Sequence, residues 1–174
     1  MNLRLSAFLL FAFLLTAPML TAQVNQEGIE EEERTSALVY EFDADFDVVF
    51  DGVKKGLIAA GYDVDYASKR KKLVESQFKI LAGEDDDFFE VMEEYGEVPY
   101  VRSPKWINGR AMVSVRFEEG ASGTITITVT AELSAFEKRF VNNWIYWTSN
   151  GLIEENVLTS IISTVEAASE GSDL

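Results

Sequence analysis

The stretch that decides the fold is residues 37–80, ALVYEFDADFDVVFDGVKKGLIAAGYDVDYASKRKKLVESQFKI. In its middle, apolar residues recur at steps of three and four, the period that places side chains on one side of a helix. These residues are Phe46, Val49, Phe50, Val53, Leu57 and Ala60. On both flanks apolar and polar residues alternate, as in strands with one buried face. The stretch therefore predicts a strand, an amphipathic helix and then a hairpin.

The predicted helix runs from about Asp45 to Ala60, with an aspartate side chain capping its first turn and Gly61 closing its last turn. Gly52 and Gly56 lie about one turn apart, and glycine inside a helix is typical of positions where space is short. We therefore expect these two glycines to let the helix pack closely on the sheet.

The predicted hairpin turns at Ser68 to Lys72, which contains four consecutive basic residues. The next strand is predicted to carry Val74, Ser76, Phe78 and Ile80 on one face, because they alternate with polar residues. Lysines at a hairpin tip are typically solvated and oppose pairing between strand edges. A contact with an acidic partner or a lipid phosphate is the functional alternative.

The first 22 residues are typical of a secretory signal peptide, with Arg4, an apolar run from Leu5 to Leu15, Pro18 and small residues that end at Ala22. The apolar run is shorter than the roughly 20 residues that span a bilayer, so an uncleaved membrane anchor is the less favoured alternative. We predict cleavage after Ala22 and export to the periplasm or the medium. Because Gln23 stands where a bacterial lipoprotein signal has its cysteine, no lipid anchor is expected.

The remaining chain is predicted to form one domain at residues 37–168, since about 150 residues suffice for one hydrophobic core. Residues 23–36 include the run Glu30 to Glu33 and are predicted to be a disordered spacer or an interaction tail. Residues 169–174 are predicted to be a frayed tail. With no cysteine in the sequence, the domain must be stable without disulfides.

The chain is acidic, with 30 Asp and Glu against 15 Lys and Arg, a formal charge of −15. Removal of Arg4 with the signal peptide takes this charge to −16. Nucleic acid and anionic membrane surfaces are therefore disfavoured as partners. A salt-rich habitat, simple solubility or a basic partner would each account for the acidity.

Residues 82–106 interrupt the strand pattern. Acidic residues at Glu84 to Asp87 precede apolar residues at helical spacing, Phe88 to Tyr95, which predicts a short helix with acids at its start. A calcium site is the alternative, but the alternating acids and central glycine of an EF-hand loop are absent, so no metal is predicted. The length of this connection makes it a candidate binding loop.

After Gly109 the chain alternates clearly again, and Arg110 to Phe117 with Gly123 to Leu133 predict two long antiparallel strands with one wet face. The wet face of the second strand is a threonine row, which also suits an ice-binding or glycan-binding surface. From Leu152 to Val165 apolar residues at helical spacing predict a last helix, from about Gly151 to Ala168.

Between these elements lies the densest aromatic cluster of the chain, Phe136 to Trp147. Its spacing fits a helical stripe or, at Trp144 and Tyr146, a strand. Its side chains either fill one end of the core or line a binding surface. Together with the aromatic residues of the 82–106 connection, the cluster gives a candidate binding surface made of Phe88, Tyr95, Tyr100, Trp106, Phe136, Phe140, Trp144 and Trp147.

The sequence has no histidine and no cysteine, so it lacks the usual general base, the thiol nucleophile and the common zinc ligands. It also lacks a G-x-S-x-G elbow and a glycine-rich phosphate loop. We therefore predict a protein that is not an enzyme and that uses no cofactor.

The order of elements resembles helix-grip domains, and in particular the family of the outer-membrane assembly lipoprotein BamC. The likeness rests on the helix from Phe46 to Gly61, the strand entered through Gly61 to Val64, and the strand pair of Arg110 to Phe117 with Gly123 to Leu133. It implies a non-catalytic envelope module that binds protein. This chain departs from that family at Gln23, where a lipid-anchored member has cysteine.

These observations predict an α+β fold in which an antiparallel sheet packs on two helices, in the order strand, helix, hairpin, insert, hairpin, helix. The leading hypothesis is an exported binding or envelope-assembly accessory module with a protein partner. The alternative is a carrier of a small apolar ligand, held between the sheet and the C-terminal helix, with Trp144 and Trp147 at the entrance.

Overall fold

The computed structural model describes residues 36–84, 87–120 and 123–170. The predicted signal peptide lies outside these residues, as do the acidic spacer up to residue 35, Asp85 and Asp86, and residues 171–174 of the predicted tail. No helix within the described ranges is long and apolar enough to cross a membrane.

The described residues form eight strands and three helices, and the predicted α+β class is confirmed. In chain order the elements are β1 (Ala37–Phe42), α1 (Phe46–Ala59), β2 (Val64–Ser68), β3 (Leu73–Ser76), β4 (Lys79–Ala82), α2 (Phe88–Glu93), β5 (Gly96–Glu97), β6 (Trp106–Glu119), β7 (Ile125–Glu137), β8 (Asn143–Ser149) and α3 (Leu152–Glu170).

The long strands β6 and β7 form the centre of the sheet and pair with each other along nearly their whole length. On the side of β6 that faces away from β7, the short strands β3 and β4 lie end to end and pair with successive stretches of β6. On the side of β7 that faces away from β6, β1 and β8 pair with β7 in the same way. The strand β2 continues the sheet beyond β3, and β5 pairs with the end of β8. All of these pairs are antiparallel.

Two side chains fill the gaps where one partner strand ends and the next begins. Between β3 and β4, the backbone N–H of Val113 donates to Ser76 Oγ at 2.9 Å. Between β1 and β8, the backbone N–H of Ala131 donates to Glu154 Oε1 at 3.3 Å, and Ser149 Oγ donates to Glu154 Oε2 at 2.9 Å. Since buried backbone donors are costly when unpaired, these contacts stabilise the two interruptions.

The core lies on one face of the sheet. Alternate residues of β6 and β7, such as Val113 and Val129, are fully buried there under all three helices. The apolar stripe of α1 contributes Val49, Val53 and Leu57 to the same core, as its spacing predicts. Burial of these side chains is the main stabilising contribution, at about 1.5–3 kcal/mol for each large aliphatic or aromatic one.

Gly52 and Gly56 were predicted to pack α1 on the sheet, but they contact α3 instead. A Cβ atom at Gly56 would lie 2.6 Å from Ile161 Cα and 2.8 Å from its backbone nitrogen. A Cβ atom at Gly52 would overlap the Val165 side chain in the same way. The two helices share one face of the sheet and lie side by side, so the glycines set the distance between helices.

Both ends of α1 lie where they were predicted, but the predicted side-chain cap at its beginning is not formed. Gly61 has φ +81°, the N–H of Tyr62 donates to the carbonyl of Leu57 and the N–H of Gly61 to that of Ile58, which is the hydrogen-bond pattern of a glycine-terminated helix. At the other end Asp45 occupies the cap position, but its side chain makes no capping hydrogen bond.

The single strand predicted from Val74 to Ile80 is two strands, β3 and β4. The expectation that Val74, Ser76, Phe78 and Ile80 share one face was wrong. Val74 and Ser76 point into the core, whereas Ile80 pairs with Arg110 on the opposite face. The break lies at Gln77, whose N–H donates to the carbonyl of Asp63 instead of to β6. A change of face between β3 and β4 follows from this break.

Two further boundaries differ from the prediction. The aromatic stretch that fitted either a helix or a strand is the end of β7, a turn and β8, so the second hairpin is a three-stranded meander. The last helix continues to Glu170, through part of the predicted frayed tail, and Ser169 Oγ donates to the carbonyl of Val165 within it.

Candidate binding site on the open face of the sheet

The face of the sheet opposite the core, here called the open face, is not covered by any of the described helices. It carries the other alternate residues of the two central strands, namely Arg110, Met112, Ser114 and Arg116 of β6 and Thr126, Thr128, Thr130, Glu132, Ser134 and Phe136 of β7. Most of these side chains are half-buried by their neighbours on the sheet. The open face is thus a partly accessible surface built on the two longest strands of the domain.

Arg110 lies at the centre of this face between two aromatic rings. Its guanidinium carbon is 3.6 Å from the centre of the Phe78 ring and 3.7 Å from that of the Trp144 ring. Its Nε donates to Ser134 Oγ at 3.1 Å, and this hydroxyl is fully buried beneath it. A guanidinium stacked on both faces and hydrogen-bonded at its edge is held in one orientation.

Further aromatic side chains extend this arrangement. Phe136 meets Trp144 edge to face, with 5.6 Å between ring centres. Tyr146 pairs across the strands with Ser134 and is 49% exposed. We call Phe78, Arg110, Phe136, Trp144 and Tyr146 the aromatic patch. Ile80, which is 60% exposed, borders it on β4.

One acidic side chain balances the charge of the patch. Desolvation by burial lowers the pKa of Arg110, and the Glu132 carboxylate acts in the opposite direction. Burial likewise raises the pKa of Glu132, and Arg110 opposes that rise. Arginine keeps its charge despite such shifts, so the patch combines apolar rings with a fixed cation that is partly shielded from water.

The other half of the open face carries mainly polar side chains. The threonine row lies between Val39 of β1, which is 63% exposed, and the β6 residues Ser114 and Arg116. Thr130 Oγ1 donates to the carbonyl of Ser114 at 3.4 Å. The suggestion of an ice-binding or glycan-binding threonine surface stays a prediction.

The turn that brings β8 beside β7 is organised by the buried carboxylate of Glu137. It accepts hydrogen bonds from the backbone N–H groups of Lys105, Arg139, Phe140 and Val141, at 2.7 to 3.0 Å. Desolvation raises the pKa of this carboxyl, but the four donors outweigh that effect and lower it to about 2. The ionised carboxylate therefore fixes the turn that places Trp144 on the open face.

Four of the eight predicted surface residues lie on the core side. Phe88, Trp106 and Trp147 are buried in contact with one another, with ring centres 5.7 to 6.2 Å apart. Tyr95 is half-buried against the same core. The Ala82 to Trp106 connection thus uses three of its aromatic residues to close one end of the core, and they add nothing to an accessible surface.

The other four predicted residues are accessible, but only two lie together. Tyr100 and Phe140 are exposed in the connections before β6 and after β7. Phe136 and Trp144 belong to the aromatic patch. Because Trp144 and Trp147 lie on opposite faces of β8, they do not flank a common entrance, and the carrier hypothesis that placed them there stays a prediction.

Sequence reasoning missed Phe78, Arg110 and Tyr146. The alternation around Arg110 already placed it on the wet face, and Tyr146 follows from the strand alternative for the aromatic cluster. No pattern in the sequence indicated Phe78. Its alternation with polar residues assigned it to the face of Val74, and the break between β3 and β4 places it on the other face.

In the described part of the chain, no three acidic side chains converge to form a metal site. Asp85 and Asp86, part of the alternative calcium site, lie outside the described residues. The contacts of the open face are aromatic stacking, apolar contact and hydrogen bonding.

No protein-family model matches this chain, and a search of curated proteins finds no significantly similar sequence. No residue role can be transferred from a relative on this basis. The geometry and the charge of the aromatic patch are consequently the basis for a functional hypothesis.

Proposed function

We propose that this chain is an exported, non-catalytic binding module of the cell envelope that holds a protein partner against its aromatic patch. The observation that carries the proposal is the stacked Arg110, surrounded by accessible apolar side chains on an uncovered sheet. Arginine, tryptophan and tyrosine are the residues most often found at the energetic centres of protein interfaces.

The shape of the patch favours a protein over a small molecule. Small ligands are usually bound in concave sites that enclose most of their surface, whereas this patch lies on the face of a sheet. The stacking also fixes the long arginine side chain before a partner arrives. Association then costs less side-chain entropy, which amounts to about 0.5–1.5 kcal/mol for each mobile side chain that is immobilised.

The cellular location and the absence of catalysis rest on the sequence. The predicted signal peptide supports export, and the lack of histidine and cysteine supports a binding role. The resemblance to BamC-like envelope domains points to the same kind of role.

Site-specific photocrosslinking in the native host tests this proposal. A photoreactive amino acid at Tyr146, 49% exposed on the patch, is compared with one at Ile58, 58% exposed on the outer side of α1. We expect a discrete adduct with an envelope protein from position 146 and none from position 58. Adducts from position 58 alone, or the same adducts from both positions, would contradict the proposal.

The Arg110→Ala variant then tests the chemistry of the patch. Loss of the arginine side chain removes the cation and leaves the Phe78 and Trp144 rings without the group that both of them contact. The adduct from position 146 should therefore disappear. Arg116→Ala is the matched control, because Arg116 lies on the same strand and face outside the patch. Circular dichroism establishes that both variants are folded, and an unchanged adduct in folded Arg110→Ala would argue against recognition by the patch.

A further inference from the structure

A second surface lies away from the open face, at the free edge of β1. Among the described residues, β1 pairs with β7 alone, so alternate N–H and C=O groups along its outer edge have no strand partner. The edge is six residues long and contains no proline. Such an edge can accept an extended segment as one more strand of the sheet.

A groove runs beside this edge, between the end of β1 and the last turns of α3. It has a volume of about 400 Å³, near the lower end of the range for ligand sites. Tyr40, Phe42 and Val165 provide its apolar lining, and the Tyr40 and Phe42 rings lie 4.7 Å apart. A groove of this size accommodates side chains that project from a segment lying along β1.

The charged residues of this groove are all acidic. Glu41, Asp43 and Glu166 line it, and no lysine or arginine does so among the described residues. None of the three carboxylates forms an ion pair within the described ranges. Aromatic rings beside carboxylates are favourable surroundings for a lysine or arginine side chain.

Charge also decides between possible occupants of the edge. A second copy of the chain would bring the same three carboxylates and a further charge of −15 to the contact. The chain's own segment before β1 contains Glu30 to Glu33, which matches the groove no better. A basic segment of another protein is the occupant that the charges favour.

We propose that the edge of β1 and its acidic groove bind an extended basic segment of a partner protein by strand addition. The backbone of that segment pairs with Ala37 to Phe42, and a lysine or arginine side chain enters the groove between Tyr40 and the carboxylates. This site is independent of the aromatic patch and does not require the function proposed for it.

The test is an NMR titration of the chain without its predicted signal peptide, using a capped peptide of alternating lysine and valine as long as β1. We expect amide shifts confined to β1 and the end of α3, and slower hydrogen exchange at the outward-facing amides of β1. The same peptide with every backbone nitrogen methylated keeps its charge but has no N–H to donate from either edge, so it should not bind as a strand. Equal binding of both peptides would overturn strand addition.

Charge variants test the groove. The triple variant Glu41→Gln, Asp43→Asn and Glu166→Gln should weaken binding about tenfold, through three partly exposed charge contacts. The control variant Glu90→Gln, Glu93→Gln and Glu155→Gln changes the net charge equally at exposed positions outside the groove and should bind nearly as the parent does. Equal weakening of binding in both variants would overturn the groove as the recognition site. If light scattering shows a dimer and the β1 amides are protected from exchange without peptide, a second copy of the chain occupies the edge, and the proposal is also overturned.

Discussion

At the scale of single residues, the surroundings of two buried carboxylates shift their pKa values in opposite directions. Glu137 accepts four backbone N–H groups, and these donors outweigh desolvation and lower its pKa to about 2. Glu154 accepts from Ser149 and from the backbone of Ala131, and desolvation dominates there and raises its pKa. The balance between desolvation and hydrogen bonding determines the sign of each shift.

The lowered pKa of Glu137 predicts a pH-dependent contribution to stability. Its pKa is about 2 in the folded state against 4.5 ordinarily, so the contribution is complete above 4.5 and is lost as the pH falls towards 2. Glu137→Gln should therefore lower the free energy of unfolding at pH 7, and its difference from the parent should shrink through that interval. Urea unfolding at several pH values measures this difference.

The exposed Glu90→Gln change in α2 serves as the control for removing a carboxylate. Its effect on the free energy of unfolding at pH 7 should be small compared with that of Glu137→Gln, because Glu90 is exposed. A difference between Glu137→Gln and the parent that stays constant from pH 7 to pH 2 would show that the ionised carboxylate is not what stabilises the turn.

At the scale of elements, the pairing of α1 with α3 depends on the absence of two side chains. Gly52 and Gly56 face Val165 and Ile161 at distances that leave no room for a Cβ atom. Glycine costs an α-helix about 1 kcal/mol relative to alanine. The close contact between the helices offsets this cost, because it lets both of them cover the same face of the sheet.

Gly56→Ala should therefore destabilise the domain despite the higher helix propensity of alanine. The new Cβ atom meets the backbone of Ile161, which cannot move without displacing α3, and we expect a net loss of about 1–3 kcal/mol. Thermal and urea unfolding measure the change. Lys55→Ala, at the neighbouring exposed position of the same helix, should leave stability nearly unchanged, and a stabilised Gly56→Ala would contradict the close contact.

At the scale of the whole molecule, the dominant feature is a formal charge of −15 over the 174 residues of the chain. Repulsion among like charges destabilises a compact state, and salt screens it. The ion pairs that salt also weakens are solvent-exposed, such as Lys72 with Glu119 and Lys105 with Glu84, and exposed pairs contribute about 0–1 kcal/mol each. Screening of the net repulsion should be the larger effect.

We therefore expect the melting temperature to rise with sodium chloride. The variant with Glu90, Glu93 and Glu155 changed to glutamine starts with less repulsion, so its melting temperature should rise less over the same range of salt. Differential scanning calorimetry measures both proteins. A melting temperature that falls with salt would show that the exposed ion pairs outweigh the net charge.

The sequence by itself determined what depends on neighbours along the chain. The period of three and four in α1, the alternation in β6 and β7, and the closing role of Gly61 are local, and the structure has them where they were predicted. Of the candidate site, the sequence placed Arg110 on the wet face and named Phe136 and Trp144. Each of these inferences rests on the geometry of one element.

Only the tertiary structure decided which elements meet. The glycines of α1 face α3, Phe88 and Trp147 belong to the core, and Phe78 reaches Arg110 from the link between β3 and β4, where the chain changes face. A period in the sequence defines the two faces of an element but does not identify the element that covers each face. That choice depends on contacts between residues far apart in the chain, here the pairing of β4 and β8 on opposite sides of the central strands, which brings the rings to both sides of Arg110.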